Sequence, residues 1–109
     1  MNSYTLKSGA SVQTIFPVRK EIEIGKLHVL LLMKPGGATP DNNVLCFDTQ
    51  GNMIWKVEPY IPVKGDANPF MDLKKKSDTV LIGSTWKGID VEIDINTGKV
   101  TGISKQRPW

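Results

Sequence analysis

A chain of 109 residues, 39% hydrophobic and 23% charged with a net charge of +3, is ordinary material for one globular domain and too apolar for intrinsic disorder. The mild positive charge is not segregated: residues 1–60 carry six basic and five acidic side chains, residues 61–109 eight and six, whereas nucleic-acid proteins usually cluster basic side chains on one face. A single cysteine, Cys46, excludes an intramolecular disulfide and a cysteine-built zinc site.

The opening stretch MNSYTLKSGASVQTIF has no basic region followed by an apolar core, so it is not read as a secretory signal. Its polar, small residues 1–11 predict a loose end. Val12–Phe16 alternates weakly and stops at Pro17, which suits an edge strand because proline cannot donate to a ladder. Arg19–Ile24 and Leu27–Met33 predict a hairpin about Gly25-Lys26, the Gly-X pair of a type II′ turn. The second arm, HVLLLM over His28–Met33, is almost continuously apolar, as expected of a central strand covered on both faces. Its Val29–Met33 stretch is the longest apolar run, far below the ~20 residues a membrane helix requires. The default expectation is a soluble cytoplasmic protein without membrane contact.

Lys34–Asn43 is dense in turn residues and predicts a loop. Its Gly36-Gly37 pair has the makings of an anion nest, but nothing like a P-loop surrounds it, and a simple connection is the expectation. Strand Val44–Asp48, a turn through Gln50-Gly51 and strand Met53–Val57 follow. Glu58–Asp78 is a long linker of the kind that is often functional. Part of it predicts a short helix, with Asn68 as N-cap, Pro69 at the first position and Lys74–Lys76 at the C-terminal end. Strand Thr79–Ser84, a Trp86-Lys87-Gly88 turn, strand Ile89–Ile95, an Asn96-Thr97-Gly98 turn and strand Lys99–Ser104 complete the chain, with Trp109 at the end of the tail.

Two stretches echo each other: Val44–Trp55, VLCFDTQGNMIW, and Val91–Gly102, VEIDINTGKVTG, each after a strongly apolar run. Aligning Asp48 on Asp94 shifts the chain by 46 residues, and aligning Val29 on Val80 shifts it by 51. The pattern is a three-stranded meander used twice, over about 27–58 and 79–105. Asp48–Trp55, and more fully Asp94–Val100, resemble the Asp-x-x-Thr-Gly-Lys-x-x-Trp turn of quinoprotein-type (PQQ-like) β-propeller repeats. In that family the glycine takes the positive-φ position and the tryptophan docks between blades. The resemblance therefore implies a positive φ at Gly98 and a buried Trp55; Trp109, in the tail, is expected to be exposed. The first copy lacks one turn residue but keeps Trp55, and the second has Gly102 where the tryptophan belongs. Two units cannot close a propeller, so the resemblance implies the meander without the ring. The family's quinone and metal sites draw on several blades, and no cofactor is carried over.

Few constellations suggest chemistry. Asp90, Glu92 and Asp94 line one face of Ile89–Ile95, but side chains two apart on a strand are about 7 Å apart, too far for all three to hold one hard cation. A solvated outer face is the better expectation. His28 and Cys46 fall on neighbouring predicted strands and could form a nucleophile couple, yet both sit mid-strand with no third orienting group. The pairs Glu21/Glu23 and Asp90/Glu92 arise in any alternating strand.

In the linker, Tyr60 and Phe70 lie near Lys64 and Lys74–Lys76. Exposed aromatics beside lysines suit protein recognition or single-stranded nucleic acid. The alternative is that Tyr60, Phe70 and Leu73 plug the sheets while the lysines are solvated. The composite expectation is an all-β antiparallel domain over 1–109: an N-terminal hairpin plus two three-stranded meanders, packed as a sandwich or open barrel. Its expected function is non-catalytic binding of a protein partner through Tyr60, Phe70, Lys74, Lys75 and Lys76. Bacterial immunity proteins, which occlude a toxin domain, exemplify the type. Nucleic-acid binding through Lys74–Lys76 is the alternative and a small enzyme the third. Asp90, Glu92 and Asp94 form the secondary candidate face.

Overall fold

A computed structural model describes residues 1–36 and 38–106; Gly37 of the glycine pair and Trp109 of the tail lie outside the described residues. These contain ten strands in three antiparallel sheets and no helix. β1 (Asn2–Thr5) and β2 (Ser11–Thr14) form a two-stranded ribbon; β3 (Val18–Ile24), β4 (Leu27–Leu32), β5 (Val44–Phe47) and β6 (Met53–Lys56) form the first four-stranded sheet. β7 (Phe70–Lys75), β8 (Val80–Thr85), β9 (Ile89–Asp94) and β10 (Val100–Gln106) form the second.

Each large sheet is a meander in chain order, with four strands where the sequence predicts three, because β3 and β7 each add one. The sheets face each other across a core that joins Val29, Leu31, Val44 and Trp55 to Phe70, Leu81, Val91 and Ile93. At one side Lys20 of β3 bridges to β7, its Nζ donating to Leu73 O at 2.6 Å and to Asp72 Oδ1 at 3.1 Å. The arrangement is a sandwich and not a closed barrel.

β4 is buried on both faces, as its continuous apolar run predicts. Strand parity sends Val29 and Leu31 to the central core and Leu30 and Leu32 to the outer face, beside Leu45 and Phe47 of β5. The predicted loose N-terminus supplies the cover. Residues 2–14 form the β1–β2 ribbon, whose Leu6 and Val12 pack on that outer face. The correction has a simple cause: with four apolar side chains on the outer face of a central strand pair, burial of Leu6 and Val12 outweighs the poor strand composition around them.

The predicted helix over Asn68–Lys76 is strand β7. Phe70 and Leu73 mimic helical spacing, three apart and both buried. A register shift between Phe70 and Asp72 inserts an extra residue and returns both to one face of a strand. Asn68 caps nothing of its own; its Nδ2 donates to Tyr60 O at 2.8 Å and its Oδ1 accepts from Lys87 N at 2.7 Å.

The turn expectations hold. Gly25 has φ +58 between β3 and β4, and Gly98 has φ +74 in the β9–β10 turn. Asp48 Oδ1 accepts from Gln50 N and Asn52 N, and Asp94 Oδ1 accepts from Asn96 N, so an aspartate organises both turns. Trp55 is buried, its Nε1 donating to Ile95 O at 2.8 Å. Its ring lies on Gly98, where a Cβ would approach Trp55 Cδ2 to 2.6 Å. The first meander thus docks its tryptophan on the turn of the second, and the missing side chain makes the room.

Candidate functional site

The two sequence-predicted aromatic anchors differ in burial. Phe70 is fully buried in the central core, packed against Gly83, where a Cβ would stand 2.7 Å from its ring. Tyr60 is half-buried against the same core. The expected role of Phe70 as a partner anchor is corrected, since the apolar interior claims its whole side chain, whereas Tyr60 keeps part of its ring at the surface.

The three lysines and three acids share one region. Lys74 pairs with Ile82 and Ile82 with Glu92, so cross-strand register puts Lys74 and Glu92 on the same outer face of the second sheet. Lys76 donates to Glu92 Oε2 at 2.8 Å, and Lys75 pairs with Asp78 at 3.0 Å. Carboxylates thus balance much of the basic run. Asp90, Glu92 and Asp94 are partly exposed on that outer face, as a solvated face requires.

His28 and Cys46 are adjacent in strand order but not in space. Val29, not His28, is opposite Cys46, so the two side chains leave opposite faces of the sheet. Burial, with the nearby Asp48 charge, pushes the Cys46 thiol up to about 12. Beneath the ribbon, His28 belongs to a buried network around Glu21, whose carboxylate contacts His28 Nδ1 at 2.8 Å and accepts from Tyr4 Oη at 2.7 Å and Lys7 N at 3.0 Å. Burial alone would raise the Glu21 carboxyl. The bonds from Lys7, Tyr4 and His28, with the histidine charge, outweigh that and hold it below its ordinary value. Burial and the bond to Glu21 push the Tyr4 hydroxyl up to about 12. The network clamps the ribbon to the sheet. Among the described residues no group of three or more His, Cys, Asp or Glu side chains could hold a metal.

The structure assembles a different surface, at the end of the sandwich where residues 38–43 and 57–69 meet the β8–β9 turn. That turn is tight: Gly88 N donates to Thr85 O at 3.0 Å, and Gly88 has φ +83. It thrusts Trp86 outward, 61% exposed. Beside the indole, Ala38, Thr39, Ala67, Pro69 and Met71 line a shallow cleft of about 270 Å³. The loops are tied together at its base. Trp86 N donates to Pro69 O at 2.9 Å, Asn68 N to Asp41 Oδ1 at 2.5 Å, and Lys87 Nζ to Asp66 Oδ2 at 2.7 Å. Ile61 and Val63, exposed at 37% and 52%, belong to the same 57–69 loop. Sequence reasoning placed Trp86 in a turn without assigning it a role. The available signal was a tryptophan in a three-residue turn, where no strand face exists to bury it.

A profile for a domain of unknown function (DUF7957) matches residues 6–105. The chain belongs to that family, and the matched span runs from the ribbon through β10. No curated protein and no solved structure matches the chain. Among the described residues no helix is long and apolar enough to cross a membrane.

Proposed function

We propose that this domain is a non-catalytic binding module that occupies the surface of a protein partner, with Trp86 as its principal anchor. The observation that carries the reading is the 61% exposure of Trp86 beside Met71 in a cleft whose loops are tied by backbone and side-chain bonds. Exposed tryptophans are costly to leave in water and dominate protein interfaces when paired with a pocket. Preorganised loops lower the entropy lost on binding. Part of the surface belongs to Glu58–Asp78, the segment the sequence nominates, so the site persists while its anchors change. An inhibitor that occludes a target, in the manner of immunity proteins, fits this design.

The test is capture from native lysate on immobilised protein, comparing the parent chain with Trp86→Ala and Met71→Asp. A protein retained by the parent after nuclease treatment, and lost by both variants, supports the proposal. Retention that nuclease abolishes, or that Lys74→Gln/Lys75→Gln/Lys76→Gln removes while Trp86→Ala does not, would favour nucleic acid instead.

A further inference from the structure

We propose a second recognition site, distinct from the Trp86 surface: the free edge of β6 accepts an extended segment of a partner protein as an added strand, with an apolar side chain in the adjoining cleft. β6 ends the first sheet and, among the described residues, pairs only with β5. Val57 N donates to Val44 O at 2.9 Å. Antiparallel alternation then turns the Trp55 backbone toward Cys46 and leaves the Lys56 N–H and C=O and the Ile54 C=O facing away from the sheet. The register shift makes Ile54 the extra residue opposite Cys46 and turns its N–H inward. Beyond Lys56 the row ends where Glu58 N donates to Gly98 O at 2.9 Å. Such an outward row is a template for another strand.

The other edges are less open. Lys20 joins the β3 and β7 edges, bonding Leu73 O and Asp72. β10 carries two register shifts along its length, a device that bends an edge away from pairing. β6 has a single shift, at its start between Cys46 and Phe47.

A side-chain pocket adjoins the same edge. Leu45 pairs with Lys56 and Phe47 with Met53, which puts Met53 and Lys56 on the outer face. There a cleft of about 240 Å³ opens between β6 and the end of the ribbon, with Leu32 and Leu45 at its base and Ile15, Phe16 and Met53 among its walls. Ile15 is 60% and Met53 52% exposed, an apolar surface left uncovered by the ribbon. Among the described residues lining the cleft, Lys56 is the only charged side chain. A strand added to β6 directs every second side chain to this face. The matching ligand is therefore an extended peptide with an apolar residue and, two positions away, a carboxylate facing Lys56.

The probe is a capped seven-residue peptide with leucine, glutamate and leucine at its even positions and threonine between them, titrated into ¹⁵N-labelled protein. The expected result is saturable amide shifts confined to residues 53–56 and the ribbon end near Ile15. Replacing the glutamate by lysine should weaken binding about tenfold, and Lys56→Glu should reverse that preference. N-methylation of alternate peptide nitrogens should cost at least about tenfold, since it removes the interstrand bonds. Equal affinity of the methylated peptide, shifts located elsewhere, or no binding at millimolar peptide would overturn the proposal. So would residue 53–56 shifts that grow with protein concentration alone, which would assign the edge to a second copy of the chain.

Discussion

The two meanders share strand order and turn chemistry, yet their outer faces are opposites. The first presents Leu30, Leu32, Leu45 and Phe47, all buried because the β1–β2 ribbon lies over them. The second presents Lys74, Glu92 and Asp94 around Val80 and Ile82, with no further layer among the described residues. An antiparallel sheet with one polar face is stable in water, whereas a doubly apolar sheet requires a third layer. The difference lies in two strands: β4 and β5 are buried at nearly every position, while β9 alternates cleanly. The ribbon thus follows from the composition of β4 and β5.

Exchanging the character of the faces should therefore have unequal consequences. Leu30→Lys places a charge under the ribbon at a position with no exposure. Its expected cost exceeds ~4 kcal/mol, enough to unfold many small domains. Val80→Lys puts the same side chain on the open face opposite Asp94 and should stay within ~0.5 kcal/mol of the parent. Urea denaturation of the two variants checks the contrast. Similar losses would mean that the second face is covered too.

The inner faces are coupled through Trp55 and Gly98. Trp55→Ala removes a buried indole and its bond to Ile95 O, for an expected loss of ~3–5 kcal/mol. Gly98→Val meets two obstacles, a φ of +74 and the Trp55 ring, and should lose at least ~2 kcal/mol. In the double variant the ring is gone, so only the backbone cost of ~1–2 kcal/mol should remain for valine. Strict additivity would show that the steric half of the argument is mistaken.

Holding the ribbon down is a smaller matter of polar bonds. Glu21→Gln removes the charge that gathers Tyr4, Lys7 N–H and His28, at an expected cost of ~1–3 kcal/mol. Because the folded carboxyl lies below its ordinary 4.5, its contribution is complete above pH 4.5 and lost as the pH falls through the lower folded value. The parent should accordingly lose stability on acidification in that window by an increment that Glu21→Gln lacks. Urea midpoints at pH 6 and pH 3 measure it. An identical acid response in both proteins would mean other carboxylates govern it.

Much of this fold is legible in the sequence, and the exceptions share a cause. Alternation in β9, the unbroken apolar run in β4, the Gly25-Lys26 pair and the Asp94–Gly98 turn each state their local structure, because the information lies within a few residues. The ribbon is not legible locally because its strands have meaning only against the outer face of β4 and β5, a contact between segments distant in the chain. β7 was missed because a bulge gave Phe70 and Leu73 the spacing of a helix. The candidate site was half legible: the segment was nominated by its length and turn residues, but which aromatics surface depends on packing. Trp86 is expelled by its three-residue turn, a local signal, whereas the entry of Phe70 into the core depends on the bulge in β7 and on the facing sheet.

The smallest effect expected belongs to the open face. Lys76 and Glu92 approach to 2.8 Å with side chains 50% and 29% exposed. An ion pair this wet gains little over hydration and loses side-chain entropy. Lys76→Gln keeps the aliphatic stem and removes only the charge. Its loss should be under ~0.5 kcal/mol, and a double-mutant cycle with Glu92→Gln should give a coupling of ~0.2–1 kcal/mol. In 1 M salt, where screening acts over ~3 Å, the coupling should fall further. Ile82 is only 4% exposed on this face although its cross-strand neighbours are Lys74 and Glu92. The stems of those side chains are then its cover, as long charged residues shelter apolar surface. Lys74→Ser should consequently cost more than Lys76→Gln, because it shortens a stem as well as removing a charge. Were the order reversed, charge pairing would be the main support of this face, and the contrast with the ribbon-covered face would rest on ion pairs instead of packing.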